Sequence, residues 1–412
     1  MRDFSCFSYF KLLMLYRMSY KKIYLKPGKE ESLKRFHPWI FSGAIAKVDK
    51  GVEEGDTVEV VNANNEFIAI GHSQIGSIAV RVLTFEQEEI NHDFWVKRLN
   101  AAFDLRKNLG LVAGEYNNAY RLVHGEGDFL PGLVIDMYDG TAVMQAHAPG
   151  MHVARYEIVE ALKEVMGEEL KNVYYKSEST LPFKADLNAE DGYLYGGNAG
   201  NIATEYGLKF HADWLKGQKT GFFVDQRDNR ALLEKYSKGK HVLNMFCYTG
   251  GFSFYAMRGG AELVHSVDSS GKAIDLTNKN VELNFPGDPR HKAFAEDAFK
   301  FLDNMEYGQY DLIVLDPPAF AKHKNVLRNA LQGYQKLNAK AFKKIKPGGI
   351  IFTFSCSQVV SKENFRLAVF SAAAQSGRRV RIINQLTQPA DHPVNIYHPE
   401  GEYLKGLVLY VE

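Results

Sequence analysis

A cysteine, an aspartate and a glycine turn carry the chemistry open to this chain. Cys356 sits in Ser355-Cys356-Ser357, directly after the apolar run Ile350–Phe354. A thiolate is a strong nucleophile, and a partly exposed, electropositive setting would lower its pKa; otherwise a free cysteine ends as a small buried hydrophobe. Asp316-Pro317-Pro318 follows a second apolar run, Leu312–Leu315. Two prolines after a buried strand lock the backbone and hold the carboxylate at the sheet edge. An acid fixed there can hydrogen-bond a planar base or amide; the alternative is a structural Pro-Pro turn. The stretch Asn244–Asp268, NMFCYTGGFSFYAMRGGAELVHSVD, reads as strand, glycine turn, helix, second strand and a lone acid. An acid about 20 residues past a glycine turn is placed to bind ribose hydroxyls. G-x-G-x-x-G is absent and no Gly-Lys-Ser/Thr follows, so nothing cradles a pyrophosphate. An adenosine ligand without phosphate fits better, and S-adenosylmethionine is the candidate cofactor. Asp297, after the weaker strand His291–Ala295, can accept from an adenine amino group or cap the next helix.

These residues need a common frame, and the pattern from Ile202 onward supplies one. Apolar runs end at Phe246 and Val267, and others lie at His291–Ala295, Asp311–Leu315, Gly349–Phe354, Arg379–Gln385 and Leu404–Val411, with helical patterns between most of them. That alternation predicts an α/β fold, a doubly wound and mostly parallel sheet. Such sheets bind ligands at the carboxyl ends of their strands, beside the first strand. Asp268, Asp297, Asp316 and Cys356 all fall at such ends. Cys247, inside the glycine turn, reads as packing, and Cys6 has no chemical setting.

At 412 residues the chain is long enough for two or three domains, and 45% hydrophobic with 24% charged residues is the composition of a soluble globular protein. A net charge of +1 says little about partners, so any nucleic-acid surface must be local. Three cysteines without zinc or disulfide spacing point to a reducing, cytoplasmic setting, and the histidines show no metal-ligand pattern, so no metal is expected. Residues 1–17 are too short and too interrupted by charge to span a bilayer and lack a cleavage site; they read as a loose extension before Met18. Residues 18–90 show short β signals that fit a small barrel. Its front, Tyr20–Lys50, holds eight Lys/Arg against three Asp/Glu, and Trp39 lies near Arg35 and His37. Aromatics among cations suit RNA backbone and unstacked bases; a solvated basic face is the alternative. Residues 91–200 read as an α+β middle domain, with a helix capped by Asn91 and a loose connection over Lys184–Asn201. Residues 201–412 hold the doubly wound domain. Lys322 and Lys324, after Asp-Pro-Pro, could steer a polyanion or simply form a solvated face.

Taken together, LKPGKEESLKRFHPWIFSG, FLPGLVIDMY, KTGFFVDQRDNR, LNMFCYTGGFSFYAM, DLIVLDPPAF, FTFSCS and HPEGEYLKG make the chain from Met18 to Glu412 resemble the bacterial 23S ribosomal RNA large-subunit methyltransferase I family. These are cytosine-5 enzymes with an N-terminal PUA domain and a Rossmann-like class I methyltransferase domain. The resemblance implies that Gly250, Asp268 and Asp297 bind S-adenosylmethionine, with Phe246, Tyr248 and Asp316 beside them and Gln226 and Arg227 closing over it. It implies that Cys356 is the nucleophile and Asp316 its partner on the base. It turns the barrel into an RNA-binding PUA domain and makes 23S ribosomal RNA, or a large-subunit assembly intermediate, the partner. A homodimer is compatible with it. Many cytosine-5 RNA methyltransferases carry a second cysteine after the Asp-Pro-Pro prolines; here Ala319 follows, so no thiol there can remove the carbon 5 proton. N-methylation of an RNA base and non-catalytic RNA binding are the competing readings.

Overall fold

Three units follow one another along the chain. The computed structural model describes residues 20–182, 187, 189–197, 200–321 and 323–412. Residues 1–17, Cys6 and Lys322 lie outside them, as does the side chain of Lys324.

The first unit has six strands: β1 (Lys21–Leu25), β2 (Trp39–Phe41), β3 (Ile45–Val48), β4 (Thr57–Val61), β5 (Phe67–Ser73) and β6 (Ile78–Thr84). They pair in the order β2-β6-β5-β4-β1-β3 around a core of Ile23, Leu25, Ile40, Val58, Val60, Val80 and Val82. Strands β2 and β3 are not paired with each other among the described residues, so the expected barrel is an open sheet in its hydrogen bonds.

The second unit begins with helix His92–Asn108, where Asn91 Oδ1 accepts the Phe94 N–H as the sequence predicts. Five strands follow: β7 (Ala119–His124), β8 (Leu133–Tyr138), β9 (Thr141–Ala146), β10 (Asn172–Tyr175) and β11 (Gly192–Tyr195), ordered β11-β10-β9-β8-β7. Strand β11 falls inside the stretch read as a loose connection. Its flanking glycines hide it, but Tyr193 packs edge-on to Tyr174 with ring centroids 5.0 Å apart, and β11 pairs antiparallel to β10.

A hairpin, β12 (Ile202–Glu205) and β13 (Leu208–His211), leads into the third unit. It turns at Tyr206 (φ 48) and Gly207 (φ 81), two left-handed residues as a tight hairpin requires. The third sheet has seven strands: β14 (His241–Met245), β15 (Leu263–Asp268), β16 (His291–Ala295), β17 (Leu312–Leu315), β18 (Gly349–Ser355), β19 (Val380–Leu386) and β20 (Lys405–Val411). Their order is β16-β15-β14-β17-β18-β20-β19. Strands β14 to β18 are parallel; β20 inserts antiparallel between β18 and β19. The chain therefore moves one way from β14 and then the other, leaving a crevice at the carboxyl ends of β14 and β17.

A buried ionic joint couples the second and third units. Asp391 Oδ2 accepts from Arg227 Nη1 and from the Arg121 N–H, each at 2.9 Å. Arg227 Nη2 donates to the Ala119 carbonyl, and Arg121 forks onto Asp136 with two bonds of 2.8 Å. Arg106 donates to the Asp391 carbonyl at 2.7 Å. Burial of this many charges is tolerated because each has a partner.

Candidate active site

Six of the residues singled out by type and spacing line one cleft of about 300 Å³: Gln226, Phe246, Tyr248, Asp268, Asp316 and Cys356. It opens at the crevice between β14 and β17.

One half of the cleft is the turn after β14. Phe246 (φ 57), Tyr248 (φ 46) and Gly250 (φ 82) all take left-handed backbone, which is uncommon for bulky side chains and concentrates at functional sites. Neighbours hold the turn in place. Thr277 Oγ1 donates to the Tyr248 carbonyl and Asn280 Nδ2 to that of Thr249, both at 2.8 Å. A Cβ on Gly250 would meet Thr277 Cγ2 at 2.7 Å, so only glycine fits. Asp268, at the tip of β15, accepts the Tyr248 N–H on Oδ2 at 3.0 Å and the Ser270 N–H on Oδ1 at 2.9 Å. Each oxygen accepts one backbone N–H and keeps a further lone pair, so the oriented carboxylate can also take a pair of ribose hydroxyls. This donor set fits S-adenosylmethionine: an acid for the ribose, flanking aromatic rings, and no phosphate cradle.

The other half is reactive. Gln226, in the short turn Val224–Gln226, donates from Nε2 to Asp316 Oδ2 at 3.1 Å and so ties the KTGFF loop to the Asp-Pro-Pro turn. Burial, then the charge of Asp225, pushes the Asp316 carboxyl up to about 7. Asp225 is itself held by the Tyr403 hydroxyl at 2.7 Å. Cys356 follows β18 and lines the cleft half-buried. The sequence leaves open an electropositive setting that would lower its pKa and burial as a small hydrophobe, and its surroundings here act against the thiolate. Burial first, and then the Asp316 carboxylate, push the thiol up to about 11, with Lys219 acting the other way. Behind Cys356, Lys405 from β20 donates to the Ser357 carbonyl at 2.6 Å and is pushed down to about 8 by burial.

The remaining candidates are placed elsewhere. Asp297 caps helix Ala298–Asn304 through the Lys300 N–H at 2.9 Å; it is exposed and not among the residues lining the cleft. Arg227 belongs to the buried joint with Asp391 and also lies outside the cleft lining. Arg35 is exposed, and His37 and Trp39 are half-buried. The Trp39 indole N–H donates to Glu126 at 2.7 Å and its ring meets His398, so Trp39 joins all three units. Cys247 is buried in the turn as packing, its thiol pushed up to about 12 chiefly by burial. The ring of Phe320 packs on Tyr334, with centroids 4.7 Å apart, and does not line the cleft. Among the described residues no group of three or more His, Cys, Asp and Glu could hold a metal, and no helix is long and apolar enough to cross a membrane.

Sequence reasoning missed Lys219, Asp225, Tyr403 and Lys405 as site residues. Their signal lay in the KTGFFVDQ and EYLKG stretches, but which side chains turn inward is fixed only by tertiary packing.

A model of PUA-like domains matches residues 23–85, and a model of S-adenosylmethionine-dependent methyltransferases matches residues 194–401. The ribosomal RNA large subunit methyltransferase I of Tolumonas auensis is 41% identical over 394 residues, covering 94% of this chain and 98% of that protein. The protein of the same name from Photobacterium profundum is 41% identical over 397 residues, covering 95% and 99%. Among solved structures, SMU.776, a candidate methyltransferase complexed with SAH, superposes with a TM-score of 0.81 at 24% identity, over 95% of this chain and 100% of that one. A candidate S-adenosylmethionine-dependent methyltransferase from Streptococcus mutans gives 0.80 at 23% identity over the same shares.

Proposed function

Because the chain belongs to the ribosomal RNA large subunit methyltransferase I family, we propose that it methylates carbon 5 of a cytosine in 23S ribosomal RNA through a covalent adduct with Cys356. Its cofactor is S-adenosylmethionine. The observation that carries the reading is the convergence of Cys356, Asp316 and the Asp268 turn on one cleft.

Carbon 5 of cytosine is a poor nucleophile. When bound, S-adenosylmethionine supplies an electrophilic methyl group for a carbon that has become nucleophilic. Addition of the Cys356 sulfur to carbon 6 makes carbon 5 enamine-like. The thiol proton must leave as the sulfur adds, and the ring must gain a proton or a hydrogen bond at N3 as charge builds there. Asp316 suits both needs. Raised to about 7, its carboxyl can both take up and give up a proton near neutral pH, so it can accept the thiol proton and present it to N3. Gln226 and the Pro317-Pro318 turn hold its orientation. A base must then take the carbon 5 proton; its C–H electrons re-form the carbon 5–carbon 6 double bond as the carbon–sulfur bond breaks. The N3 proton returns through Asp316 to the leaving sulfur, which restores the thiol. A base inside an RNA helix must first be flipped out or caught unpaired.

We assign Phe246, Tyr248, Gly250 and Asp268 to the cofactor half, with Gln226 at its border through Asp316; Asp297, exposed and capping a helix, is not among the residues lining the cleft. The packing of Phe320 on Tyr334 counts against a nitrogen methyltransferase that stacks its base on an aromatic after Asp-Pro-Pro. The test is methyl transfer to protein-free 23S ribosomal RNA with the product nucleoside identified. Wild type should yield 5-methylcytidine and Cys356→Ala essentially none. An N-methylated base would overturn the reading.

A further inference from the structure

A second concave site lies where all three units meet. Its volume is about 270 Å³, and Phe36, Phe85, Arg98, Phe129 and Tyr397 line it. Phe36 is 47% exposed, Phe129 50% and Tyr397 45%; other rings are as exposed, but these three come from three units and meet in one concavity. Phe36 (φ 62) and Phe129 (φ 57) both hold left-handed backbone, a cost that bulky residues carry mainly where position matters. Around Phe36 stand Phe85, edge-on at 5.3 Å, and Tyr397, tilted at 5.2 Å between centroids. The Arg98 guanidinium lies 6.0 Å from the Phe129 ring and 5.2 Å from that of Phe94. Arg98 Nη2 donates to the Leu83 carbonyl at 3.2 Å, while its Nε is buried without a partner.

Exposed rings from separate elements beside an under-used guanidinium are the combination that takes an unpaired nucleotide. A base stacks on the rings, and the cation takes a base carbonyl or a phosphate. We propose that this pocket binds an unpaired nucleotide of the substrate RNA, at a distance from the one that enters the cleft. The proposal rests on the RNA substrate of the reading above. The segment that carries Tyr397 runs on to Tyr403, which bonds Asp225, and to Leu404, which lines the cleft, so the two sites share one stretch of chain. A peptide is the competing occupant. Glu126 on the lining is tied up by Trp39 and Arg81, which leaves Arg98 for a base carbonyl or phosphate and Glu86 for a base amino group, contacts that an aliphatic side chain does not offer.

Equilibrium binding of the full chain to a fluorescein-labelled, mixed-sequence RNA single strand of roughly 12 nucleotides, within the site sizes of single-strand binders, tests this. A duplex of equal length is the control. Phe129→Ala and Tyr397→Ala should each weaken single-strand binding about tenfold and duplex binding less than about twofold. Arg98→Gln should weaken it too, and affinity for S-adenosylhomocysteine should hold in all three, which also shows that the variants fold. Variants that bind the single strand as wild type does, an equal loss for the duplex, or no binding by wild type would overturn the pocket and favour a peptide. Methyl transfer, read separately, keeps the two ideas apart. Transfer without a pocket effect removes only the pocket; a pocket effect without transfer removes only the reaction.

Discussion

The Asp316 carboxylate makes the Cys356 thiolate more costly, as Asp225 does for Asp316 in turn. The thiol held up to about 11 is unreactive at rest, and it becomes a nucleophile only when its proton has somewhere to go. Asp316→Asn removes the negative neighbour, so iodoacetamide should alkylate Cys356 faster at pH 8 than in wild type; an unchanged or slower rate would show that the carboxylate does not act on the thiol. The same carboxyl costs the fold stability. Below its ordinary 3.8 it is protonated in both the native and unfolded states and contributes nothing. Between 3.8 and about 7 only the unfolded state ionises, so native stability falls as pH rises through that window, and above it the cost stays constant. At about 1.4 kcal/mol per pH unit this is on the order of 4 kcal/mol at most. Asp316→Asn, which keeps an acceptor for Gln226, should therefore raise urea-unfolding stability by about 2 kcal/mol or more at pH 8 and by almost nothing at pH 4, while abolishing methyl transfer. A gain at pH 4 equal to that at pH 8 would reject the assignment.

At the scale of elements, the turn after β14 decides whether the cofactor half exists. Gly250→Ala forces a side chain onto left-handed backbone and against Thr277 Cγ2, and should destabilise the protein by about 1–3 kcal/mol. It should weaken S-adenosylmethionine binding by calorimetry more than tenfold, whereas Gly271→Ala, whose Cβ meets nothing, should leave binding unchanged. The strand–turn–helix–strand order of this region was legible because period and punctuation agree: short apolar runs, a glycine break, then an acid at a strand tip. Asp316 and Cys356 were legible for the same reason. Arg227 was not. Its neighbours in KTGFFVDQRDNR suggested the cofactor, but its partners Asp391 and Glu205 lie far along the chain, and no local pattern announces a buried ion pair. Strand β11 escaped because glycines flank it, and the thiol's raised pKa because burial is a tertiary property.

For the whole molecule, the joint around Asp391 fixes the cleft relative to the middle sheet and, through Trp39 and Glu126, to the N-terminal unit. Arg227 beside Asp391 holds that carboxyl well below the usual range, against the opposing effect of burial. Asp391→Ala leaves the buried Arg227 guanidinium without this carboxylate and the Arg121 N–H without its acceptor, and should destabilise the fold by about 3–5 kcal/mol in urea. The apolar pair Arg227→Met with Asp391→Leu should recover only part of that loss, because the Arg121 N–H and the Ala119 carbonyl lose these partners. A single substitution costing less than about 1 kcal/mol would show that the joint does not hold the units together.

The adduct itself is the central claim, and trapping tests it most directly. In RNA carrying 5-fluorocytidine there is no carbon 5 proton to remove, so the carbon–sulfur bond cannot be released after methylation. With S-adenosylmethionine present, wild type should form a denaturation-resistant protein–RNA complex whose linked peptide contains Cys356, and Cys356→Ala should form none. A complex linked through another residue, or methylation of ordinary RNA by Cys356→Ala at the wild-type rate, would contradict the account.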